Sequence, residues 1–345
     1  MVLLRSTRQV GTRTDPCSTQ DGAAIVARRP CLATLVARVC LATLVARVCL
    51  ATLVARVCLA TLVATALLAC PGRIALADTT LDRIARTGVL NAGTRPDAPP
   101  FAFRDRQGNL VGLSVDLIEA VRVALAARFD RPVRTEHVMV TSQTRMNVIE
   151  SGQADLVCET ATVTWEREGR VDFSLPIFRD GTRILAYRET IDRVRDMRDL
   201  RIGVVRGSVT GRVLMEKLPG ISLVPYPDMP DALRALEAAD VDGIANVGIV
   251  LRGLLSQATK RHGLVIVPRG EALGYETLAC MLPENDSKWR DFVNGVLRDL
   301  FRGIGAYRGG YAVIHERWFG RDAGIAYPLD DRTVRFFQSS LVWLD

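Results

Sequence analysis

Hydroxyl and guanidinium side chains gather in one short stretch of this 345-residue sequence. Thr160, Thr162 and Thr164 alternate after the apolar residues 156–158, and Arg167 follows three residues later. A threonine in the place of Thr164 is typical of a helix N-cap, where free backbone N–H groups attract an anion. An arginine beside them can hold a carboxylate through two parallel hydrogen bonds. The stretch therefore predicts a carboxylate site, with a capped helix that binds nothing as the alternative.

Two further stretches have the same combination of residue types. Thr141 is the expected cap of a helix, and Ser142 and Arg145 would share a face at its positive end. Residues 207–211 form a small-residue loop between an expected strand and helix, and Ser208 lies in it. This loop lacks the lysine of a phosphate-binding loop. The three stretches together predict a pocket for a small dianion.

Apolar spacing, with glycine, proline and threonine at the ends of segments, predicts the elements that hold these residues. We expect helices at 80–88, 114–129, 141–152, 211–218, 229–239, 249–257 and 289–301. We expect strands at 89–95, 133–140, 156–158, 184–187, 201–205, 241–245, 264–268 and 276–282. Residues 189–201 are charged and lack apolar periodicity, so we expect a linker there.

Alternating strands and helices predict an α/β fold with two lobes, each a mostly parallel sheet flanked by helices. Chain crossings are expected near 185–190 and 274–279. Lobe 1 would then comprise residues 78–186 and 277–345, and lobe 2 would be the insertion 187–276. The predicted anion sites would line the cleft between the lobes.

The excess of positive charge belongs to residues 1–77. They hold nine arginines and two aspartates, which leaves 36 basic and 36 acidic side chains in the rest of the chain. A formally neutral body argues against nucleic acid as a partner.

Residues 1–77 are expected to be an export leader and no part of the fold. The heptapeptide Cys-Leu-Ala-Thr-Leu-Val-Ala recurs every nine residues from position 31, a period that matches no common solenoid. After Arg56 the chain is apolar and uncharged over 57–69, and Ala-Leu-Ala ends at Ala77. This order is typical of a signal peptide cleaved after Ala77. A lipoprotein anchor at Cys70 is the alternative.

Two of the eight cysteines, Cys158 and Cys280, lie outside the leader. Their number and spacing are wrong for zinc, and we expect a disulfide between them, with two buried thiols as the alternative. His137, His262 and His315 lie outside the anion motifs, so no Ser/His/Asp set is indicated. We expect no metal and no cofactor.

With these motifs in place, about residues 80–330 resemble the periplasmic amino-acid-type solute-binding proteins of ABC importers, in particular the glutamate/aspartate-binding branch. The resemblance rests on several short segments in the same order: Gly93–Arg95 with Pro100–Phe101, Thr141–Arg145, Asp155 to Arg167, Phe173–Ser174, Gly181–Arg183, Gly207–Ser208 and Cys280–Leu282. It implies the type II periplasmic-binding-protein fold, in which two lobes close on a solute by hinge motion.

The resemblance also implies roles for single residues. Arg167 matches the arginine that grips the ligand's α-carboxylate, with Thr160 and Thr162 as its hydroxyl and backbone partners. Ser208 matches a hydroxyl position on the second lobe. Three residues match the positions that receive the second carboxylate of an acidic ligand: Arg95, Ser142 and Arg145.

Three positions depart from the family's pattern. Val247, beside Asn246, stands where an aspartate usually neutralises the ligand's ammonium; Met229 replaces a histidine, and Glu159 replaces a glycine. Because a buried ammonium without a carboxylate is costly, either Glu159 or Asn246 takes that role or the ligand has no amino group. The alternative for Glu159 is a surface side chain beside the cleft.

We therefore expect a monomeric periplasmic binding component that captures glutamate, aspartate or a related dicarboxylate and delivers it to an inner-membrane ABC permease. The alternative is a dehydratase-like enzyme on the same fold that acts on a cyclic carboxylate, with Glu159 as general acid.

Overall fold

The computed structural model describes residues 79–193, 197–323 and 325–341, together with 43–44, 46–59 and 61 of the leader. The chain divides into two compact units, Met1–Leu76 and Ala77–Asp345. The described leader residues are helical and exposed. The predicted cleavage site at Ala77 and the alternative anchor at Cys70 lie outside the described residues. No helix within the described ranges has both the length and the apolar character needed to cross a membrane.

The second unit contains twelve described strands. In chain order they are β1 (Val89–Thr94), β2 (Asp97–Ala98), β3 (Ala102–Arg104), β4 (Leu110–Val111), β5 (Arg134–Met139), β6 (Leu156–Val157), β7 (Asp172–Tyr187), β8 (Arg201–Val205), β9 (Ser222–Tyr226), β10 (Gly243–Val247), β11 (Leu264–Val267) and β12 (Tyr275–Leu282).

The helices alternate with these strands. They are α1 (Thr80–Thr87), α2 (Leu113–Phe129), α3 (Arg145–Glu150), α4 (Trp165–Glu168), α5 (Arg188–Arg193), α6 (Val209–Lys217), α7 (Met229–Glu237), α8 (Gly248–Gln257), α9 (Ser287–Phe301), α10 (Gly310–Phe319) and α11 (Asp331–Leu341). Short 3₁₀ turns lie at Met197–Asp199 and Ile304–Ala306. The alternation confirms the predicted α/β class.

Helix α1 shows how local sequence sets an element's ends. The Thr79 hydroxyl accepts a hydrogen bond from the Asp82 N–H, and the Asp82 carboxylate accepts one from the Thr79 N–H, which forms a capping box. Gly88 ends the helix with a φ of 69°, a backbone conformation that glycine adopts without steric cost. Leu81 and Ile84 are buried on one face. The predicted helix over 80–88 is confirmed.

Nine of these strands form one sheet in the order β5-β1-β6-β12-β7-β10-β8-β9, with β11 also paired to β7. Pairing is parallel for β1 with β5 and β6, and for β8 with β9 and β10. Strands β7 and β12 run antiparallel to their neighbours and lie in the middle of the sheet. The two parallel groups are therefore joined through β7 and β12, which carry the chain between them. The predicted lobe boundaries near 186 and 277 stay a prediction, since β7 continues through the first of them.

Strand β7 is four times longer than the predicted strand over 184–187. The prediction was wrong for residues 172–183 because Pro176 and Gly181 are typical interruptions of a strand. Proline is tolerated here because the pairing with β12 shifts register between Leu278 and Ala279, and Ala279 lies opposite Pro176.

The predicted linker at 189–201 contains helical residues. Helix α5 follows β7 directly, and the turn Met197–Asp199 precedes β8. Ile191 and Met197 pack against a buried cluster that includes Ile184 and Ile202. Two well-placed apolar residues thus anchor a segment whose composition predicts no periodic element.

The predicted disulfide between Cys158 and Cys280 is present. It connects the residue after β6 to the middle of β12, two neighbouring strands, and both cysteines are buried. Their separation of 122 residues along the chain makes the bond a long-range tie within the sheet.

Candidate functional site

The predicted anion-binding side chains meet in one cavity at the middle of the sheet. Its accessible volume is about 40 Å³, room for only a few water molecules. Eight of the nine predicted site residues line it: Arg95, Ser142, Arg145, Thr160, Thr162, Arg167, Ser208 and Asn246. The wall also contains residues that were not predicted as site residues, among them Asp97, Thr210 and Glu276.

Arg167 lies on α4 and is 9% exposed. Its Nη1 donates a hydrogen bond of 2.7 Å to the Thr162 carbonyl, and its backbone N–H donates to the Thr164 hydroxyl, the helix cap. Burial, followed by repulsion from Arg145 and Arg212, lowers the pKa of Arg167 to about 10. No carboxylate of the described residues forms a salt bridge with it. A buried guanidinium without an anionic partner is the group in this cavity best suited to a ligand carboxylate.

Arg95, which follows β1, is fully committed to protein partners. Its Nε and Nη2 donate to the two oxygens of Asp97 at 2.9 and 2.6 Å, and its Nη1 donates to the Ser142 hydroxyl. Its Nε also lies 3.4 Å from Glu159 Oε2. Burial acts to lower the pKa of Arg95, but attraction to Glu159 and Asp97 outweighs burial and raises it.

Glu159 is completely buried and lies behind the cavity wall rather than on it. Its Oε1 accepts a hydrogen bond of 2.7 Å from Arg145 Nη1, which also lies 3.3 Å from the Thr160 carbonyl. The alternative that placed Glu159 on the surface is therefore wrong: two guanidinium groups hold it inside. Because it is paired with Arg145 and Arg95, Glu159 is not placed to neutralise a ligand's ammonium.

Glu276, at the start of β12, is a buried carboxylate on the cavity wall. Its oxygens accept hydrogen bonds from the hydroxyls of Thr162 at 2.6 Å, Thr182 at 2.8 Å and Thr210 at 3.0 Å. No arginine or lysine of the described ranges forms a salt bridge with it. A carboxylate has about four acceptor positions, so three hydroxyls leave room for one further donor.

The opposite wall comes from the second parallel group of strands. Ser208 is the N-cap of α6, a helix of nine residues, and its hydroxyl accepts a hydrogen bond from the Gly211 N–H. Asn246 lies at the end of β10 with its side-chain oxygen accepting the N–H of Val247. Val247 and Met229, which stand where a carboxylate and a histidine were expected, both line the cavity. This wall is therefore neutral.

Two expected helix N-termini contribute less than the sequence suggested. Helix α3 begins at Arg145 rather than near Thr141, whose hydroxyl instead accepts hydrogen bonds from the Gln143 and Thr144 N–H groups. Helix α4 has only four residues, although Thr164 caps it as predicted. Because a helix dipole needs several aligned peptide units, the positive potential of this wall comes from arginine side chains.

Contacts close the mouth of the cavity between the two parallel groups. Arg212 on α6 forms a salt bridge of 2.8 Å with Glu166 on α4, and the Gln143 side chain donates to the Pro227 carbonyl at 3.2 Å. Both residues of the ion pair are largely exposed, so the pair contributes little stability. The geometry is that of a closed cleft.

Two of the unpredicted residues, Asp97 and Glu276, are acidic. Asp97 is two residues from Arg95, and Glu276 is the single acidic residue in a strand that is otherwise mostly apolar. An acidic residue inside a buried strand is the signal that could have found Glu276, because buried carboxylates are rare without a partner. Within the described ranges, no group of three or more His, Cys, Asp or Glu side chains could hold a metal ion.

Comparison with known proteins agrees with this architecture. Residues 90–321 match the model of the bacterial extracellular solute-binding proteins, family 3. The glutamate/aspartate import solute-binding protein of Salmonella typhimurium is 29% identical over 253 residues, which are 71% of this chain and 80% of that protein. The glutamate/aspartate import solute-binding protein of Escherichia coli is 28% identical over 231 residues, which are 65% and 76% of the two chains.

Among solved structures, an ancestral arginine-binding protein bound to glutamine superposes with a TM-score of 0.60 at 26% identity, covering 68% of this chain and 99% of that chain. This likeness confirms the predicted type II periplasmic-binding-protein fold. The relatives are solute-binding proteins, which confirms the prediction of a binding protein over that of a dehydratase. Because the family model matches more than half of its length, the chain belongs to the bacterial extracellular solute-binding proteins of family 3 and is an amino-acid-type solute-binding protein.

Proposed function

We propose that the cavity captures a small α-amino acid, with the α-carboxylate on Arg167 and the ammonium facing Glu276. The observation that carries this proposal is the pair of buried, oppositely charged groups that no salt bridge among the described residues neutralises. A zwitterion supplies one anion and one cation at a short separation, so it compensates both groups at once. Thr160 and Thr162 would add hydroxyl and backbone contacts to the ligand's α-carbon substituents.

Glu276 takes the role that the sequence left open between Glu159 and Asn246. Glu159 is held by Arg145 and Arg95, and the side-chain oxygen of Asn246 accepts a backbone hydrogen bond. Leaving a ligand ammonium unpaired in such a cavity would cost several kcal/mol. A carboxylate supplied by β12 removes this cost without an aspartate at Val247.

The ligand's side chain would extend toward Arg145 and Ser142. One candidate for its end is a second carboxylate, as in glutamate, aspartate or an amino-free dicarboxylate, and the names of the Salmonella and Escherichia relatives favour that class. The other candidate is an uncharged group that accepts a hydrogen bond, which the pairing of Glu159 with Arg145 favours. Arg145 lines the cavity and its buried Nε has no hydrogen-bond partner among the described residues, so its guanidinium would donate to either.

Capture would occur by closure of two lobes, 78–186 with 277–345 against 187–276, around β7 and β12. A ligand that bridges Arg167 and Ser208 would stabilise the closed form over the open form. The closed protein, as a monomer, would then deliver its solute to an inner-membrane ABC permease. No nucleic acid takes part.

Thermal unfolding in the presence of candidate ligands tests the proposal, because selective binding to the folded state raises the melting temperature. The panel comprises L-glutamate, L-aspartate, L-glutamine, 2-oxoglutarate and succinate. We expect at least one L-amino acid to raise the melting temperature by several degrees at 1 mM, and its D-enantiomer to have a much smaller effect. The proposal fails if only the amino-free acids stabilise the protein, or if none of the compounds does.

We also propose that the protein reaches the periplasm through its leader and is cleaved after Ala77. The support is the order of Arg56, an apolar segment and Ala-Leu-Ala in the sequence. Intact mass spectrometry of protein from the periplasmic fraction should give a chain that begins at Asp78. A chain that begins at a lipid-modified Cys70 would contradict this cleavage site.

A further inference from the structure

Glu159 is the least exposed carboxylate near the cavity, and its position has a consequence for selectivity. It touches both arginines of the side-chain end, with Oε1 2.7 Å from Arg145 Nη1 and Oε2 3.4 Å from Arg95 Nε. It is 0% exposed, so solvent does not screen its charge. Any group bound beside Arg145 therefore lies in the field of Glu159 as well.

The side-chain end of the cavity is already neutral before a ligand enters. Arg95 and Arg145 supply two positive charges, and Glu159 and Asp97 supply two negative charges in direct contact with them. Among the described residues that line the cavity, Arg167 is the remaining cation; Arg145 repels it, and the ligand's α-carboxylate would neutralise it. A ligand carboxylate beside Arg145 would be a third negative charge facing two positive ones.

Hydrogen-bond donors are nevertheless available at this end. Within the part of the chain that the structure describes, Arg145 Nε is buried and has no hydrogen-bond partner. The Ser142 oxygen accepts from Arg95 Nη1, which leaves the hydroxyl proton free to donate. Asp97 also lines the cavity and offers carboxylate oxygens to an N–H donor. The end therefore combines donors and an acceptor with zero net charge, as a primary amide does.

We infer that Glu159 makes the side-chain end of the site neutral and so selects an amino acid that ends in a carboxamide, such as glutamine, over one that ends in a carboxylate, such as glutamate. The carboxamide oxygen would accept from Arg145 and Ser142, and its NH₂ group would face Asp97. This inference rests on the proposed function of the cavity as an amino-acid site. It assigns the choice of side chain to a residue that need not touch the ligand.

The size of the effect follows from burial. Placing like charges together in a closed site costs enough to change affinity by about tenfold or more, while glutamine and glutamate differ little in shape. We therefore expect the dissociation constant for L-glutamine to be at least about tenfold lower than that for L-glutamate at pH 7.5 and low salt. Glu159→Gln removes the charge, keeps the shape, and should reverse or abolish this preference.

The test is calorimetric titration of the purified protein and its variants with L-glutamine and L-glutamate. Glu284→Gln is the matched control, because it makes the same change at an exposed carboxylate that does not line the cavity. It should change the glutamine-to-glutamate ratio less than Glu159→Gln does. The melting temperature of each variant without ligand reports whether it folds.

Each outcome separates the inference from the proposal on which it rests. A wild-type protein that binds glutamate as tightly as glutamine, or a folded Glu159→Gln variant with an unchanged ratio, overturns the inference and leaves amino-acid capture standing. If the wild-type protein binds neither of these ligands and no other L-amino acid, the proposed function itself fails. If Glu159→Gln does not fold, the wild-type ratio alone still decides.

Discussion

The role of each charged side chain in this site follows from whether another protein side chain neutralises its charge. Arg95 and Arg145 share Glu159, and Arg95 also pairs with Asp97. By contrast, Arg167 and Glu276 have no salt-bridge partner among the described residues. A buried charge without a partner is costly, and a site that keeps two of them must recover that cost from its ligand. The ligand contacts are therefore expected at Arg167 and Glu276.

Glu276→Gln should weaken amino-acid binding because it removes the negative charge opposite the ligand's ammonium. We expect the affinity for L-glutamine to fall by about ten- to a hundredfold, the range for a hydrogen bond to a charged group. The affinity for glutaramate, which is glutamine without its amino group, should change less than threefold or rise. Titration calorimetry with both compounds measures the difference.

Glu284→Gln is the matched control for this change, since Glu284 is exposed and follows β12. It should leave both affinities unaltered. Equal losses for L-glutamine and glutaramate in Glu276→Gln would show that Glu276 only shapes the cavity and does not bind the ammonium.

The sequence predicts those residues of the site that lie close to one another along the chain. Thr162, Thr164 and Arg167 lie within six positions of one another, so a single stretch contains the whole motif. The contact between Thr162 and Glu276 spans 114 positions and depends on the pairing of distant strands. Glu159 was named from sequence, but its partners could not be, because its pairing with Arg95 and Arg145 depends on where β1 ends and where α3 begins.

At the scale of elements, β7 carries the most structure that sequence did not predict. It has 16 residues: residues 172–181 pair with β12, and residues 184–186 lie between β10 and β11. Short strands such as β8 were predicted at their observed bounds because apolar residues fill them and charged or glycine residues flank them. In β7, proline and glycine lower the strand propensity of the sequence, but pairing with neighbouring strands forms a strand there nevertheless.

Helix α10 places a histidine in the aromatic core, which gives the fold a sensitivity to acid. His315 is 1% exposed and stacks on Phe178 with ring centroids 6.3 Å apart, and it lies 4.6 Å from the Phe319 ring. Burial lowers the pKa of His315 to about 4. Because the unfolded chain takes up this proton near pH 6.5, the contribution of neutral His315 to stability is present above about pH 6.5 and is lost as pH falls toward 4.

We therefore expect the free energy of unfolding to decrease when the pH is lowered from 7.5 to 4.5, and His315 to account for about 2 kcal/mol of this decrease. In His315→Gln this part of the loss should disappear, although the variant is less stable at pH 7.5. Urea unfolding at the two pH values measures it. His262→Gln, at an exposed position, should retain the full pH dependence. The same dependence in both variants would contradict the role of His315.

At the scale of the whole molecule, the α/β class and the family followed from the order of the motifs, because alternating strands and helices restrict the topology strongly. The cavity lies where the two parallel groups of strands meet, and contacts such as Arg212 with Glu166 close its mouth. The disulfide between Cys158 and Cys280 ties β6 to β12 beside the crossing strands. The proposed closure around a bound zwitterion unites these features in one account.

The most direct test of that account is the affinity of Arg167→Lys for L-glutamine, measured by titration calorimetry beside the wild-type protein and Arg290→Lys. Lysine keeps the charge but cannot form the paired hydrogen bonds of a guanidinium with a carboxylate. Arg290 is partly exposed and lies in a salt bridge with Asp172, so its variant controls for the substitution itself. We predict a loss of affinity of at least about thirtyfold in Arg167→Lys and almost none in Arg290→Lys. If a folded Arg167→Lys binds within about threefold of the wild-type protein, Arg167 does not hold the ligand's carboxylate and the central claim is wrong.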